Sequence, residues 1–308
     1  MTDPVTVVGE TETAWPKTTE FQNHHMDSTR WNRFRFRDDD IVIGTWAKSG
    51  TTWLQQIVGQ FVFDGAEGVP VMELGPWLEY RILPEQKLHE MLEAQTHRRF
   101  LKTHLDANTL RTAPGVRYIY CARDGRDALW SWFEHHHAYT DVAYAALNET
   151  PGLVGDPFPR PGDDLVRYFH AWLDGDGYPA WPFFSNIRSW WELRDHPQVL
   201  LLHFNDLKAD LDGQMRRIGE YLGFNIDESL LPEMVRHCSF DYMKMHADTL
   251  NSRLGKMFAG GGKSLINKGV NDRWRDTLSA ADIEKYNARV AAELSPECAH
   301  WLAHGADG

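Results

Sequence analysis

The chain has 308 residues and a formal net charge of −12, so its bulk charge repels polyanions and disfavours a DNA or RNA partner, while leaving room for a small anion in a local cationic cavity. An apolar fraction of 42%, with 13 Trp, 15 Phe and 10 Tyr, supplies enough core for one domain spanning 1–308 and argues against disorder outside the ends. Cys121, Cys238 and Cys298 are widely spaced and suggest neither a disulfide framework nor a Cys-rich zinc site; no run reaches the roughly eighteen apolar residues of a membrane span, and a cytoplasmic location is expected.

Residues 1–37 are polar and mixed, end in Arg33-Phe34-Arg35-Phe36-Arg37, and read as an N-terminal segment with aromatic anchors. After Asp38-Asp39-Asp40 comes the apolar triplet Ile41-Val42-Ile43, then Gly44-Thr45-Trp46-Ala47-Lys48-Ser49-Gly50-Thr51-Thr52-Trp53. Trp53, Leu54, Ile57, Val58, Phe61 and Val62 recur three and four apart, the stripe of a helix with one buried face. The order is strand, turn, helix. Farther on, Arg99-Phe100-Leu101-Lys102 reads as a strand end, and Val116 to Cys121 as a β-rich run behind the breaker Pro114-Gly115. Asp124 is placed to cap the next helix, with Asp127 in its first turn.

Residues 139–164 and 240–269 read as loop insertions near the site. The first contains the Pro-, Gly- and Asp-rich stretch 148–164, too long for an ordinary connection, and the second contains the glycine-rich, cationic stretch 255–269. Between them Val199 to Phe204 is a buried-strand candidate and Gln214 to Leu222 another helix. Strands alternating with helices predict an α/β fold of three layers, a mostly parallel sheet flanked by helices, with its ligand outside the carboxyl ends of the strands.

The turn at 44–53 leaves backbone N–H groups of Ser49, Gly50, Thr51 and Thr52 unpaired at a helix start, where the macrodipole favours an anion, and Lys48 adds a full charge. This is P-loop-like physics without the P-loop template, which needs its lysine after the last glycine. Gly262-Lys263-Ser264 fails that template too, because position 257 is Met and no clear strand precedes it.

Lys48-Ser49-Gly50-Thr51-Thr52-Trp53 resembles the 5′-phosphosulfate loop of the cytosolic-type sulfotransferases, which use 3′-phosphoadenosine 5′-phosphosulfate. The resemblance implies that Lys48 addresses the bridging oxygen beside the 5′-phosphate and that Trp53 stacks on adenine. Arg123, Asp127 and Ser131, four apart after a strand, are similar to the family's 3′-phosphate motif; independently, an arginine fork plus a hydroxyl near a helix start is a dianion clamp. Asn267-Lys268-Gly269 followed by Trp274 resembles the family's C-terminal Arg-Lys-Gly segment, offering Lys268 and the Gly269 backbone to the same phosphate. Asn267 stands where the family usually has arginine, and Asp272-Arg273-Trp274 replaces its Gly-Asp-Trp. Ser239-Phe240 matches a family pair that makes Phe240 the second adenine neighbour, and Phe204 stands where many members carry tyrosine. As bare residues, Phe204 and Phe240 read as core.

Lys102-Thr103-His104 follows a strand candidate, so Lys102 and His104, two apart, project to one side. Sulfuryl transfer needs an in-line nucleophile, a neutralised leaving group and a base for the acceptor proton, and histidine suits that last task near neutral pH. The family's Lys-Thr-His-Leu segment implies the same, with His104 as base, Lys102 and Lys48 stabilising the transferring group, and Ser131 holding the 3′-phosphate and restraining Lys48. His135-His136-His137 point around a helix and do not converge on a metal, so none is expected. The Trp190-Trp191 pair and Trp181 read as core or pocket wall.

The acceptor expected is a small hydrophobic hydroxyl compound, in a pocket built partly from the segment around Trp77 and residues 139–164. Arg275, Ser279, Ala280 and Glu284 only partly echo the family's dimer motif, which leaves monomer and homodimer both open. The alternatives are a nucleotide-dependent phosphotransferase of the P-loop kinase type, which expects a lysine after the glycine, and a binding protein without chemistry, against which Lys102 and His104 argue.

Overall fold

The computed structural model describes residues 15–249 and 254–306. Residues 1–14 of the N-terminal segment and residues 250–253 of the second expected loop lie outside them. Four strands, β1 (Ile41–Thr45), β2 (Phe100–Thr103), β3 (Arg117–Ala122) and β4 (Val199–His203), form one parallel sheet in the order β2-β1-β3-β4. The chain leaves β1 for one neighbour and returns to place β3 on the other side, so the crevice of this sheet opens between the carboxyl ends of β1 and β3.

Alternation along the strands divides the core. Ile41, Ile43, Phe100, Ile119, Cys121, Leu200 and Leu202 face one cluster, whereas Val42, Leu101, Tyr118, Tyr120 and Ala122 face the other. Helix Thr51–Val62 covers the first face through Leu54, Ile57, Val58 and Phe61, joined by helices Leu211–Leu222 and Leu231–His237. Helices Gly125–His137, Leu165–Asp174 and Phe184–Trp191 cover the other, where Trp46, Trp132, Trp172 and Trp190 are buried. The result is the expected three layers. The aromatic anchors of the N-terminal segment are Trp15, Trp31 and Phe34, all buried in the Trp-rich core.

Register places the strand ends level: Gly44 pairs with Thr103, Thr45 with Cys121, and Ala122 with His203. The residues that follow therefore emerge along one edge. At the opposite edge, Arg99 forks onto Asp40, with Nε to Oδ1 at 2.7 Å and an Nη to Oδ2 at 2.6 Å, both side chains 0% exposed. This pair ties the starts of β1 and β2 together, and removing one member strands a buried charge.

Both expected loop insertions carry helix. Asp141–Glu149 is a helix capped by Thr140, so only residues 150–164 of the first stretch are irregular. In the second, Phe240–Met245, Leu254–Met257 and Gly262–Leu265 are short helices; composition marked the glycines but not the capping by Ser239 that starts the first of them. Arg99→Ala should cost about 3–5 kcal/mol of unfolding free energy, read by urea denaturation, because Asp40 is left unpaired; a loss under about 1 kcal/mol would show that the pair does not hold the sheet edge.

Candidate active site

The turn after β1 is built from two residues with left-handed backbone, Lys48 at φ 64° and Gly50 at φ 102°. No side chain caps helix Thr51–Val62 at Gly50, so the N–H groups of its first turn stay available to an anion. A Cβ on Gly50 would sit 3.3 Å from the Phe204 ring. Ser49 is 0% exposed, and its Oγ has no hydrogen-bond partner among the described residues. Lys48 Nζ donates to the Leu265 carbonyl at 3.2 Å, which ties the turn to the 262–269 stretch.

At the end of β2, Lys102 and His104 enter the same cavity, as their spacing predicts, while Thr103 turns away and donates to Glu79 Oε1. His104 Nδ1 donates to the Thr45 carbonyl at 2.7 Å, which fixes the tautomer and leaves Nε2 with its lone pair. Its backbone N–H donates to Glu79 Oε1 at 2.8 Å, and the imidazole packs edge-on against Trp77 with centroids 4.7 Å apart. Glu79 is fully buried and accepts from Trp31 Nε1, Thr103 Oγ1 and the His104 N–H; sequence spacing gave no sign of it.

From the end of β3, Arg123 reaches back to the first turn, donating to the Lys48 carbonyl at 3.1 Å, with its guanidinium 4.3 Å over the Phe204 ring. Asp124 caps the following helix by accepting from the Arg126 N–H, as expected, and Ser131 lies on that helix at the cavity wall. Trp53 donates its indole N–H to the Cys238 carbonyl and meets Phe204 edge-on at 5.4 Å. Phe240, read as core, is instead 38% exposed and lines the cavity, whereas Phe204 is buried and forms part of the floor. Asn267 Nδ2 and Lys268 Nζ both donate to Glu134, and Gly269 at φ 64° lies so close to Phe240 that a Cβ would approach its ring to 2.7 Å.

These pieces line one cavity of about 320 Å³. Among the described residues that line it, six are Lys or Arg, namely Lys48, Lys102, Arg123, Lys208, Lys268 and Arg273, and none is Asp or Glu, in a protein of net charge −12. Burial, then the neighbouring cations, pulls Lys48 down to about 8, and burial alone does the same to Lys102, even with Glu79 opposing it. Burial first and the Lys102 charge second hold His104 at about 3, neutral at any physiological pH. Beyond His104 the wall is aromatic: Trp77, Tyr80, Trp132, Tyr139, Trp181 and Phe258, with His135 among them.

A model of the sulfotransferase domain matches residues 38–296. The chain belongs to the sulfotransferase family. It is 27% identical over 303 residues to a glycolipid sulfotransferase of Mycobacterium tuberculosis, covering 92% of this chain and 93% of the relative. To sulfotransferase 1A1 of Rattus norvegicus it is 28% identical over 267 residues, covering 83% and 85%. Among solved structures, retinol dehydratase in complex with androsterone and the inactive cofactor PAP superposes with a TM-score of 0.67 at 22% identity, covering 87% of this chain and 84% of that one. Mouse sulfotransferase SULT7A1 complexed with PAP gives 0.66 at 19%, covering 88% and 90%. At those identities the likeness is one of fold.

Of the residues expected to act in catalysis or to hold the nucleotide, all line this sulfotransferase's cavity except Ser49, which is fully buried; Asp127, Ser239 and Trp274, which belong to the same motifs, do not line it. The partner of Lys48 is the Leu265 carbonyl rather than Ser131. Of residues 139–164, only Tyr139 reaches the cavity; Trp132, His135, Trp181 and Phe258 supply the wall expected from that stretch. In the His triplet, His136 is taken up by Tyr168 Oη and the Pro159 carbonyl, and His135 faces the cavity. An anion seated against both ammonium groups must raise them. Binding of sulfate, which stays a dianion throughout this range, should therefore take up roughly one to two protons at pH 9 and almost none at pH 6.5, read by calorimetry in buffers of different ionisation heat; equal uptake at both values would contradict the depressed lysines.

Proposed function

We propose that this chain transfers the sulfuryl group of 3′-phosphoadenosine 5′-phosphosulfate to a hydroxyl, or an amine, of a small hydrophobic acceptor. One observation carries the reading: a cavity lined, among the described residues, by six cations and no carboxylate, with the Nε2 of an oriented, neutral imidazole where the cationic half meets the aromatic half. The fit to the nucleotide rests on the uncapped helix start, the buried, unpartnered Ser49 Oγ, the Lys48–Arg123 contact at the turn, and the Lys268 and Arg273 cations gathered by Glu134. The PAP-bound neighbours and the family support the same donor.

The nucleotide, when bound, supplies an activated sulfur–oxygen bond whose leaving group is its 5′-phosphate. The chain's own part is electrostatic and positional. N–H groups of the first turn and Lys48 neutralise the charge gathering on the leaving phosphate, and Lys102 addresses the equatorial oxygens of the group in flight. His104 Nε2 takes the acceptor proton as the acceptor oxygen bonds to sulfur, and the Thr45 carbonyl steadies the imidazolium through Nδ1. The aromatic wall excludes water and sorts acceptors by shape. Trp53 and Phe240 bracket the adenine, and Arg123, Ser131, Asn267, Lys268 and Gly269 surround the 3′-phosphate. No lysine follows Gly50, which disfavours the kinase-type phosphotransferase.

His104→Ala should lower turnover by roughly two to four orders of magnitude and leave nucleotide affinity nearly intact; undiminished turnover would remove His104 from the chemistry. Lys48→Ala should impair both turnover and affinity, and an effect on neither would contradict its role. Titration separates the readings of the cavity: adenosine 3′,5′-bisphosphate should bind tightly without metal and outcompete ATP with magnesium, whereas the reverse order would favour the phosphotransferase.

A further inference from the structure

We propose that Arg273 reads the 3′-phosphate of the nucleotide and is held in place by Glu134, making these two residues determinants of donor specificity. The inference rests on the nucleotide reading above. Arg123 has five N–H groups, and four are already engaged by the protein: Nε and one Nη bond Asn271 Oδ1 at 3.1 and 2.6 Å, an Nη bonds the Val270 carbonyl at 3.3 Å, and another bonds the Lys48 carbonyl at 3.1 Å. Arg123 thus acts largely as a rivet between the β1 turn, the Val270 carbonyl and the Asn271 side chain. A dianionic phosphate held at this end of the cavity requires a further cation with donors to spare.

Arg273 meets that requirement. It lines the cavity, its side chain is 19% exposed, and its Nε is buried with no partner among the described residues. It faces Arg123: burial brings Arg123 down to about 10, with Arg273 adding to the shift, whereas Lys102 and Lys48 are the cations acting on His104. Its bond to Glu134 groups Arg273 with Asn267 and Lys268, in the segment whose Val270 carbonyl and Asn271 side chain hold Arg123. Its backbone is anchored rather than loose. The Asp272 N–H donates to Asp127 Oδ1 at 2.7 Å, Arg273–Asp276 is a 3₁₀ turn, and Trp274, 3% exposed, lies under the Arg126 guanidinium at 3.8 Å.

Glu134 sets the direction of the side chain. It is three residues after Ser131, so the two share a helix face. Its carboxylate gathers Asn267 Nδ2 at 2.8 Å, Lys268 Nζ at 2.6 Å and Arg273 Nη at 2.6 Å. Burial works to raise Glu134, and the bonds from Arg273 and Lys268 outweigh it, leaving its carboxyl below the ordinary value. One acid thus aligns an amide, an ammonium and a guanidinium beside the Ser131 hydroxyl, and each cation keeps N–H groups to give.

The test compares two ligands that differ only in the 3′-phosphate, adenosine 3′,5′-bisphosphate and adenosine 5′-monophosphate, titrated by calorimetry into the full chain. Arg273→Ala should weaken the bisphosphate about 10- to 100-fold, the range of a charge-assisted hydrogen bond, and change the monophosphate less than twofold, with the melting temperature preserved. Arg273→Lys should recover part of the loss. Glu134→Gln should reduce the same selectivity ratio about threefold to tenfold. Equal weakening of both ligands by Arg273→Ala would make the residue structural and overturn the proposal, as would no weakening of either. A wild-type chain that does not prefer the bisphosphate would instead sink the nucleotide reading itself.

Discussion

Positive charge held away from water without a matching acid is the constraint from which the rest of this site follows. Among the described residues, six cations and no carboxylate line one cavity, on a chain whose total charge is −12. Such a cavity is costly when empty, and Lys48 and Lys102 register the cost as values near 8 rather than 10.5. A polyanion relieves it. Burial first, and the Lys102 charge after it, keeps the neighbouring imidazole neutral, so the base holds its lone pair.

The fold supplies the coordinates of those charges. Level strand ends bring the residues after β1, β2 and β3 to one edge, and the reversal of strand order between β1 and β3 opens the crevice there. Thr45 is the junction: its carbonyl orients His104, and its hydroxyl lies 2.6 Å from that of Thr51 at the helix start. Acids appear only behind the cavity wall. Glu79 holds the His104 backbone from the aromatic side, and Glu134 holds the Asn267–Arg273 segment from the other, so each positions a functional residue without neutralising the cavity.

Much of this was legible because local rules reach that far. The apolar triplet at 41–43, the left-handed turn around Gly50 and the stripe from Leu54 to Phe61 specify strand, turn and helix with little help from the remainder of the chain. The Lys102/His104 pairing needed only the period of a strand. What stayed hidden depends on contacts across the chain. Glu79 meets His104 from 25 positions away, and Arg273 meets Glu134 across 139. The short helices at 141–149 and 240–245 begin at caps, Thr140 and Ser239, that the Gly and Pro content nearby obscured. As a bare residue Phe240 reads as core, because apolar side chains usually are, and only the resemblance set it beside the nucleotide; it is left exposed over Gly269 and lines the cavity. The one signal that spacing could have offered is Glu134, three residues beyond Ser131 on the same helix face.

A crystal structure of the complex with adenosine 3′,5′-bisphosphate tests the central claim most directly. One phosphate should lie against the N–H groups of Gly50 to Thr52 and Lys48 Nζ, since the Ser49 N–H expected to join them donates instead to the Trp46 carbonyl at 3.3 Å, with the other beside Arg123 and Ser131 and His104 Nε2 open toward the aromatic half. A nucleotide bound elsewhere, or lying in the crevice with its phosphates turned away from Lys48 and Arg123, would contradict it.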